Sequence, residues 1–225
     1  MSNLPSWDPI WERIFSTQEW GKYPPEQVIR FVARNFYKAP DRKQVKLLDL
    51  GGGTGACTWF MAREGFDVSS IDGQRRQCGS RASDWPARTL SQTFGLGNFT
   101  QLPWPDQHFD GVIDNGSLFS NRFGQCQRAV AEVWRVLKQD GRFLSCSMTN
   151  ESWGYGLGVK VEHNTFRDIP VGPFQNRGLI LLMDRPQIDE LFSIFAEVSV
   201  EKATWTTDNM QHRMDWWLVE ARKAS

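Results

Sequence analysis

The chain has 225 residues, with 40% hydrophobic and 23% charged side chains, 26 basic against 26 acidic residues and no net charge. That balance excludes a disordered chain and disfavours nucleic acid, because no segment gathers the positive charge that a phosphate backbone demands. No apolar run reaches the roughly 20 residues of a membrane helix, and Met1 to Ile10 lacks the basic start and apolar stretch of a secretory signal, so the expected setting is cytoplasmic.

The first 44 residues carry Trp7, Trp11, Phe15 and Trp20 ahead of Pro24 and Pro25. Val28, Ile29, Val32, Ala33 and Phe36 then repeat at helical spacing, so residues 1–44 are expected to pack as a helical lid on the rest of the chain. Residues 45–50, an apolar run, halt at Gly51-Gly52-Gly53-Thr54-Gly55, as a buried parallel strand does on entering a tight turn. Helical spacing continues through Ala56, Trp59, Phe60 and Arg63; Gly65 stops it, and residues 66–72 resume a strand that ends on Asp72. This is a βαβ unit. Residues 109–114 read as a strand, 125–137 as a helix stopped by Asp140-Gly141, and 142–148 as a further strand. Alternation of this kind argues for a parallel sheet covered by helices on both faces.

Residues 149–186 are rich in Gly, Pro, Asn and aromatic side chains, too long for an idle connection, and are expected to form a substrate-facing insertion in which Trp153, Tyr155, Phe166 and Phe174 shape a pocket. Residues 187–195 look helical, and 196–206 with 212–222 look like a closing hairpin. The four cysteines, at 57, 78, 126 and 146, have no paired spacing that suggests a metal, and read as reduced, mostly buried thiols.

Gly51, Gly53 and Gly55 let a ligand approach the backbone at a helix start, and Asp72, 21 residues beyond Gly51, can accept hydrogen bonds from both hydroxyls of a ribose. A nucleoside-containing cofactor is implied. Gly51, Gly53 and Ala56 also satisfy the dinucleotide pattern G-x-G-x-x-G/A, which keeps an NAD-dependent oxidoreductase open.

Asp49 to Gly55 (D-L-G-G-G-T-G) resembles motif I of the class I S-adenosylmethionine-dependent methyltransferases. Residues 97–110, G-N-F-T-Q-L-P-W-P-D-Q-H-F-D, are similar to that family's G-D-A-x-x-L-P-F-P-D-x-x-F-D block, and residues 127–141 to the helix and turn before its fifth strand. The resemblance implies a Rossmann-like, seven-stranded, mostly parallel sheet with an antiparallel terminal strand, in a methyltransferase domain spanning 45–225. It places Gly51, Gly53 and Gly55 under the methionine part of S-adenosylmethionine, Asp49 at its amino group, Asp72 on its ribose, and Asn98 and Phe99 at its adenine. Asn98 stands where the family commonly has Asp. Asp114 falls where side chains face the transferred methyl, touching cofactor or substrate, and His163 in the insertion is a candidate base. Trp20 and Tyr23 are candidates to contact the methionine end or its sulfonium. The implied reaction is direct in-line methyl transfer to an O or N atom of a small molecule, sugar-type acceptors among them, by a monomer or homodimer without a metal. A non-catalytic S-adenosylmethionine-binding regulator or scaffold would look the same in this half of the chain.

Overall fold

The computed structural model describes residues 8, 10–17, 21–73 and 92–224. Trp7, Trp20 and Cys78 lie outside the described residues.

Helices α1 (Ile10–Thr17) and α2 (Glu26–Phe36) precede strand β1 (Lys46–Leu50). Helix α3 (Ala56–Arg63), β2 (Asp67–Asp72), β3 (Gln92–Leu96) and β4 (Phe109–Asn115) come after it. Next are α4 (Phe123–Val136), β5 (Leu137–Met148), the short strands β6 (Val159–Glu162), β7 (Thr165–Arg167) and β8 (Leu179–Leu181), α5 (Arg185–Phe192), β9 (Glu197–Thr207) and β10 (His212–Arg222). The main sheet has seven strands in the order β3-β2-β1-β4-β5-β10-β9. All neighbours from β3 to β5 run parallel, and β10 lies antiparallel to both β5 and β9. The predicted α/β sheet, with its antiparallel member at the end of the chain, is the one observed.

Period-two alternation divides the core. Leu47, Val68, Ile113 and Leu144 point to one face, where Val28, Phe31 and Val32 of α2 and Phe60 and Met61 of α3 cover them. Leu48, Ile71, Val112 and Phe143 point to the other, under Val130 and Val133 of α4 and Ile188 and Phe192 of α5. Glycine at 111 is required by this packing, since a Cβ there would stand 2.6 Å from the Phe36 ring. A third apolar cluster, including Phe166, Ile169, Phe174 and Ile180, lies under the insertion together with Phe119, Met148 and Met214.

Four differences from the sequence reading are local. Strand β3 comes directly after residues outside the described set, and it carries no alternation that announced it. Helix α4 stops one residue early, because Leu137 is already extended (φ −70°, ψ 136°) and pairs with Phe109. Asp140, with φ 60°, makes its turn inside β5 instead of before it. The carbonyls of Trp134 and Leu137 left at this helix end accept hydrogen bonds from Lys223 Nζ at 2.7 and 2.9 Å. Finally, residues 149–186 contain β6-β7-β8, a small antiparallel sheet, not open loop alone.

Helix α1 is eight residues long, too short to be stable alone, and it is held by the insertion. Asp8 accepts from the Ile10 N–H at 3.1 Å and from Arg167 Nη1 at 3.1 Å, and the Arg177 guanidinium lies over the Trp11 ring at 5.6 Å.

Candidate functional site

Sheet order reverses between β1 and β4, and open α/β sheets bind ligands outside the carboxyl ends of their strands at such a point. A cavity of about 810 Å³ occupies this place. Its walls come from the glycine loop, the β4 end, residues 21–27, the insertion and the β9–β10 hairpin.

At one end the loop after β1 turns under the cavity. Gly51, Gly53 and Gly55 have φ of +73°, +52° and +85°, a region that only glycine enters without strain. A Cβ on Gly51 would fall 2.2 Å from Ser117 Cβ, and one on Gly52 would fall 2.2 Å from Ser70 Oγ. The loop is thus a cradle of bare backbone. The Gly53 N–H donates to Asp72 Oδ2 at 3.2 Å, which ties the loop to the end of β2. Asp49 is 2% exposed and accepts from Thr58 Oγ1 at 2.6 Å. Burial raises its pKa to about 6 against the opposing donation from Thr58, with the negative charges of Asp72 and Asp114 adding to the rise.

Residues 21–25 pass over this end. Thr54 Oγ1 donates to the Gly21 carbonyl at 3.3 Å, and the Tyr23 ring, 77% exposed, meets Trp59 edge-on at 6.0 Å. Gly21, Tyr23 and Pro25 all line the cavity, as do Asp49, Asp72 and Phe99.

Asn98, Asp114 and His163 are placed elsewhere. Asn98 Oδ1 accepts from both the N–H and the hydroxyl of Thr100, at 2.8 and 2.7 Å. Both lone pairs of that oxygen are then engaged, so the expected acceptor role toward adenine has no free acceptor behind it. Asp114 is fully buried and does not reach the cavity. Its Oδ1 accepts from Ser117 N, Ser117 Oγ and Leu118 N, and its Oδ2 from Ser145 Oγ. Burial lifts its carboxyl above the usual range while these donors oppose the rise. The carboxylate pins the turn at 117–120. His163 sits at the β6–β7 turn with 68% of its side chain exposed, 3.0 Å from Asp184 Oδ2, and lines no part of the cavity. The insertion turns this tip outward, away from the cavity.

The other end of the cavity is aromatic. Phe119 meets Trp216 edge-on at 5.8 Å, and Trp216 stacks with Trp205 at 6.2 Å. Gly116, at φ +87°, lets the chain turn beneath them, where a Cβ would come 3.0 Å from Phe119 and 3.1 Å from Trp216. Trp153 is stacked on His212 at 3.6 Å with only 2° between the planes, and a Cβ on Gly172 would stand 2.8 Å from its ring. Of the insertion aromatics singled out in the sequence, Trp153 and Phe174 line the cavity, whereas Tyr155 packs against Phe166 outside it. Trp11, Phe119, Arg177, Trp205 and Trp216 were not anticipated there. Only the abundance of tryptophan, 11 residues against 3 tyrosines, hinted at them.

A sheet with the reversal at β1 and β4, a bare glycine cradle tied to a carboxylate at the β2 end and an antiparallel final strand defines a nucleoside-cofactor-binding α/β domain. The family described as "Methyltransferase domain" matches residues 41–222. The chain belongs to this family, with the class I S-adenosylmethionine-dependent methyltransferase fold. A demethylmenaquinone methyltransferase of Symbiobacterium thermophilum is 31% identical over 140 residues, which are 59% of this chain and 51% of that protein. The chain thus spans about half the length of the curated relatives it matches. Among solved structures, an S-adenosylmethionine-dependent methyltransferase from Methanosarcina mazei superposes with a TM-score of 0.63 at 18% identity, covering 81% of this chain and 93% of that one. The 1,6-didemethyltoxoflavin-N1-methyltransferase of Burkholderia thailandensis, solved with 1,6-didemethyltoxoflavin and S-adenosylhomocysteine, gives 0.59 at 18% identity, covering 89% and 79%. These structural likenesses concern the fold.

Proposed function

We propose that the protein transfers a methyl group from S-adenosylmethionine to an oxygen or nitrogen atom of a small molecule held in the aromatic end of the cavity. The observation that carries this reading is the cradle at Gly51 to Gly55, where side chains are barred and the Asp72 carboxylate stands at the edge. In this reading the loop backbone lies under the methionine part, Asp49 faces the amino group, Asp72 takes the ribose hydroxyls and Phe99 packs on the adenine. Residues 21–25, with Tyr23, cover the cofactor, and 1–44 act as a lid on the domain of 45–225, with 149–186 as its substrate-facing insertion. When bound, the cofactor supplies a methyl group already activated by the adjacent sulfonium, so the chain's own work is to align the acceptor and exclude water. Names among the relatives and structures support a small acceptor with a ring system.

Isothermal titration with S-adenosylhomocysteine tests the cofactor half directly. The parent should bind, and Asp72→Ala should bind more weakly by about 1.5–3 kcal/mol, the range for lost hydrogen bonds to a charged group. Tight NAD binding with no response to S-adenosylhomocysteine would overturn the proposal. Binding without turnover on any acceptor would favour a regulator or scaffold.

A further inference from the structure

Phe99 owes its place in the cavity wall to a tight turn. The Gln101 N–H donates to the Asn98 carbonyl at 3.0 Å, and the Asn98 side chain closes the same turn from within through Thr100. Phe99 sits at the tip, and its Cζ stands 3.3 Å from the point where a Cβ on Gly51 would fall. Such a turn fixes its own shape but not its position on the domain. Its leading end is held by strands: the Gly97 N–H donates to the Asp72 carbonyl at 3.0 Å, and a Cβ on Gly97 would meet Ile71 Cδ1 at 2.6 Å.

The trailing end is held by two side chains of α4. Glu132 Oε2 accepts from the Leu102 N–H at 2.7 Å, and Arg135 Nη2 donates to the Leu102 carbonyl at 3.0 Å. Arg135 Nη1 donates to the Trp104 carbonyl at 2.8 Å and to Asp106 Oδ1 at 2.9 Å, while Nε and Nη2 grip the two Glu132 oxygens, both at 2.8 Å. All five N–H donors of the guanidinium are thus engaged, and the fork holds the Glu132 carboxyl below its ordinary value. Leu102 packs in the same apolar cluster as Phe99. Neither Glu132 nor Arg135 lines the cavity, and an ion pair with side chains 20% and 29% exposed contributes little stability by itself. Its effect is geometric, because it supplies Leu102 with both of the backbone partners that a strand would otherwise provide.

We propose that Glu132 and Arg135 are a positioning pair for the nucleoside end of the cavity, acting through Leu102 to hold the turn at 98–101 so that the Phe99 ring stands against the glycine loop. The inference rests on the methyl-transfer reading above, in which Phe99 packs on the adenine. It extends the cofactor site to α4, a helix that forms no part of the cavity wall. A ring fixed in advance need not be ordered when the base arrives, so the pair raises affinity without touching the ligand.

Isothermal titration of the full chain with two ligands tests this, S-adenosylhomocysteine and S-ribosylhomocysteine, the same molecule without its adenine. Arg135→Gln should lower affinity for the first roughly tenfold and leave that for the second within about twofold. In a Phe99→Leu background the same substitution should add less than about twofold, since the ring through which the pair acts is gone. This cycle decides the matter where S-ribosylhomocysteine binds too weakly to measure. Arg135→Lys, which keeps the charge but not the fork, should give the same pattern and serves where Arg135→Gln fails to fold. A merely structural pair would weaken both ligands alike and add its full effect in either background. That pattern, or parental affinity in Arg135→Gln, would overturn the proposal while leaving methyl transfer intact. Failure of the parent protein to bind S-adenosylhomocysteine would sink both.

Discussion

The two ends of the cavity are built by different means. The glycine-loop end is made of neighbours in sequence, Asp49 through Thr58, fixed by strand–turn–helix geometry and by left-handed glycines. The aromatic end is assembled from α1, the β4 end, the insertion and the β9–β10 hairpin, so that Trp11 and Trp205 share one cavity across almost the whole chain. A local device can be changed only by breaking it, whereas an assembled wall can change one ring at a time. Under the proposed function, that contrast separates the cofactor end from the acceptor end.

The largest effect should come from breaking the local device. In Gly51→Ala the left-handed backbone costs about 1–2 kcal/mol, and the new Cβ at 2.2 Å from Ser117 must displace the turn at 117–120. Titration should show S-adenosylhomocysteine affinity lowered roughly 100-fold or more. Affinity within a few-fold of the parent would mean that the loop is not the cofactor cradle.

Asp114 sits near the end of β4, where it holds the turn after it. Asp114→Ala leaves Ser117 N–H, Leu118 N–H and the Ser145 hydroxyl without their acceptor, and should lower stability in urea by about 3 kcal/mol. A variant of parental stability that loses only turnover would restore a chemical role to this carboxylate.

A smaller effect concerns pH. In the folded apo protein Asp49 holds its proton to about pH 6, against 3.8 for the ordinary carboxyl. Its contribution is therefore fully present below about pH 4 and is lost as pH rises to about 6, by roughly 3 kcal/mol, with Asp114 adding in the same direction. Thermal melts should show this slope, and Asp49→Asn should flatten it. S-adenosylhomocysteine, whose ammonium favours the ionised carboxylate, should bind more weakly below pH 6. A flat affinity from pH 5 to 8 would separate Asp49 from the amino group.

His163→Ala should do least. The side chain is exposed and its partner Asp184 keeps the Gln187 N–H, so stability should move by no more than about 0.5 kcal/mol, and turnover should stay parental. A lost acid-side limb in the pH–rate profile of this variant, where activity falls as a base is protonated, would return the histidine to the site.

The same division explains what was legible in the sequence. Residues 45–72 announce strand, turn, helix and strand through short-range patterns, and the final hairpin does so through its alternation and its Thr207-Asp208-Asn209 turn. Asp49 and Asp72 line the cavity because their positions are set by the strand ends. Asp114 also ends a strand, yet nothing in the neighbouring residues shows that Ser117 and Ser145 will close over it. Arg177 is invisible for the converse reason: its place in the cavity depends on how an insertion folds back across 60 residues and more of chain, a matter of tertiary packing without periodicity.

The cysteines give the molecule a chemical clock. Cys57 is 6% exposed on the first turn of α3, just behind the glycine loop, whereas Cys146 lies at zero exposure near the end of β5. Burial pushes both thiols well above their ordinary value, so neither supplies thiolate until its surroundings open. Among the described cysteines, Cys57 should therefore react with a thiol reagent on lifting of the loop, and Cys126 and Cys146 only on opening of the core. Ligand in the cradle should slow the first far more than local opening alone would allow.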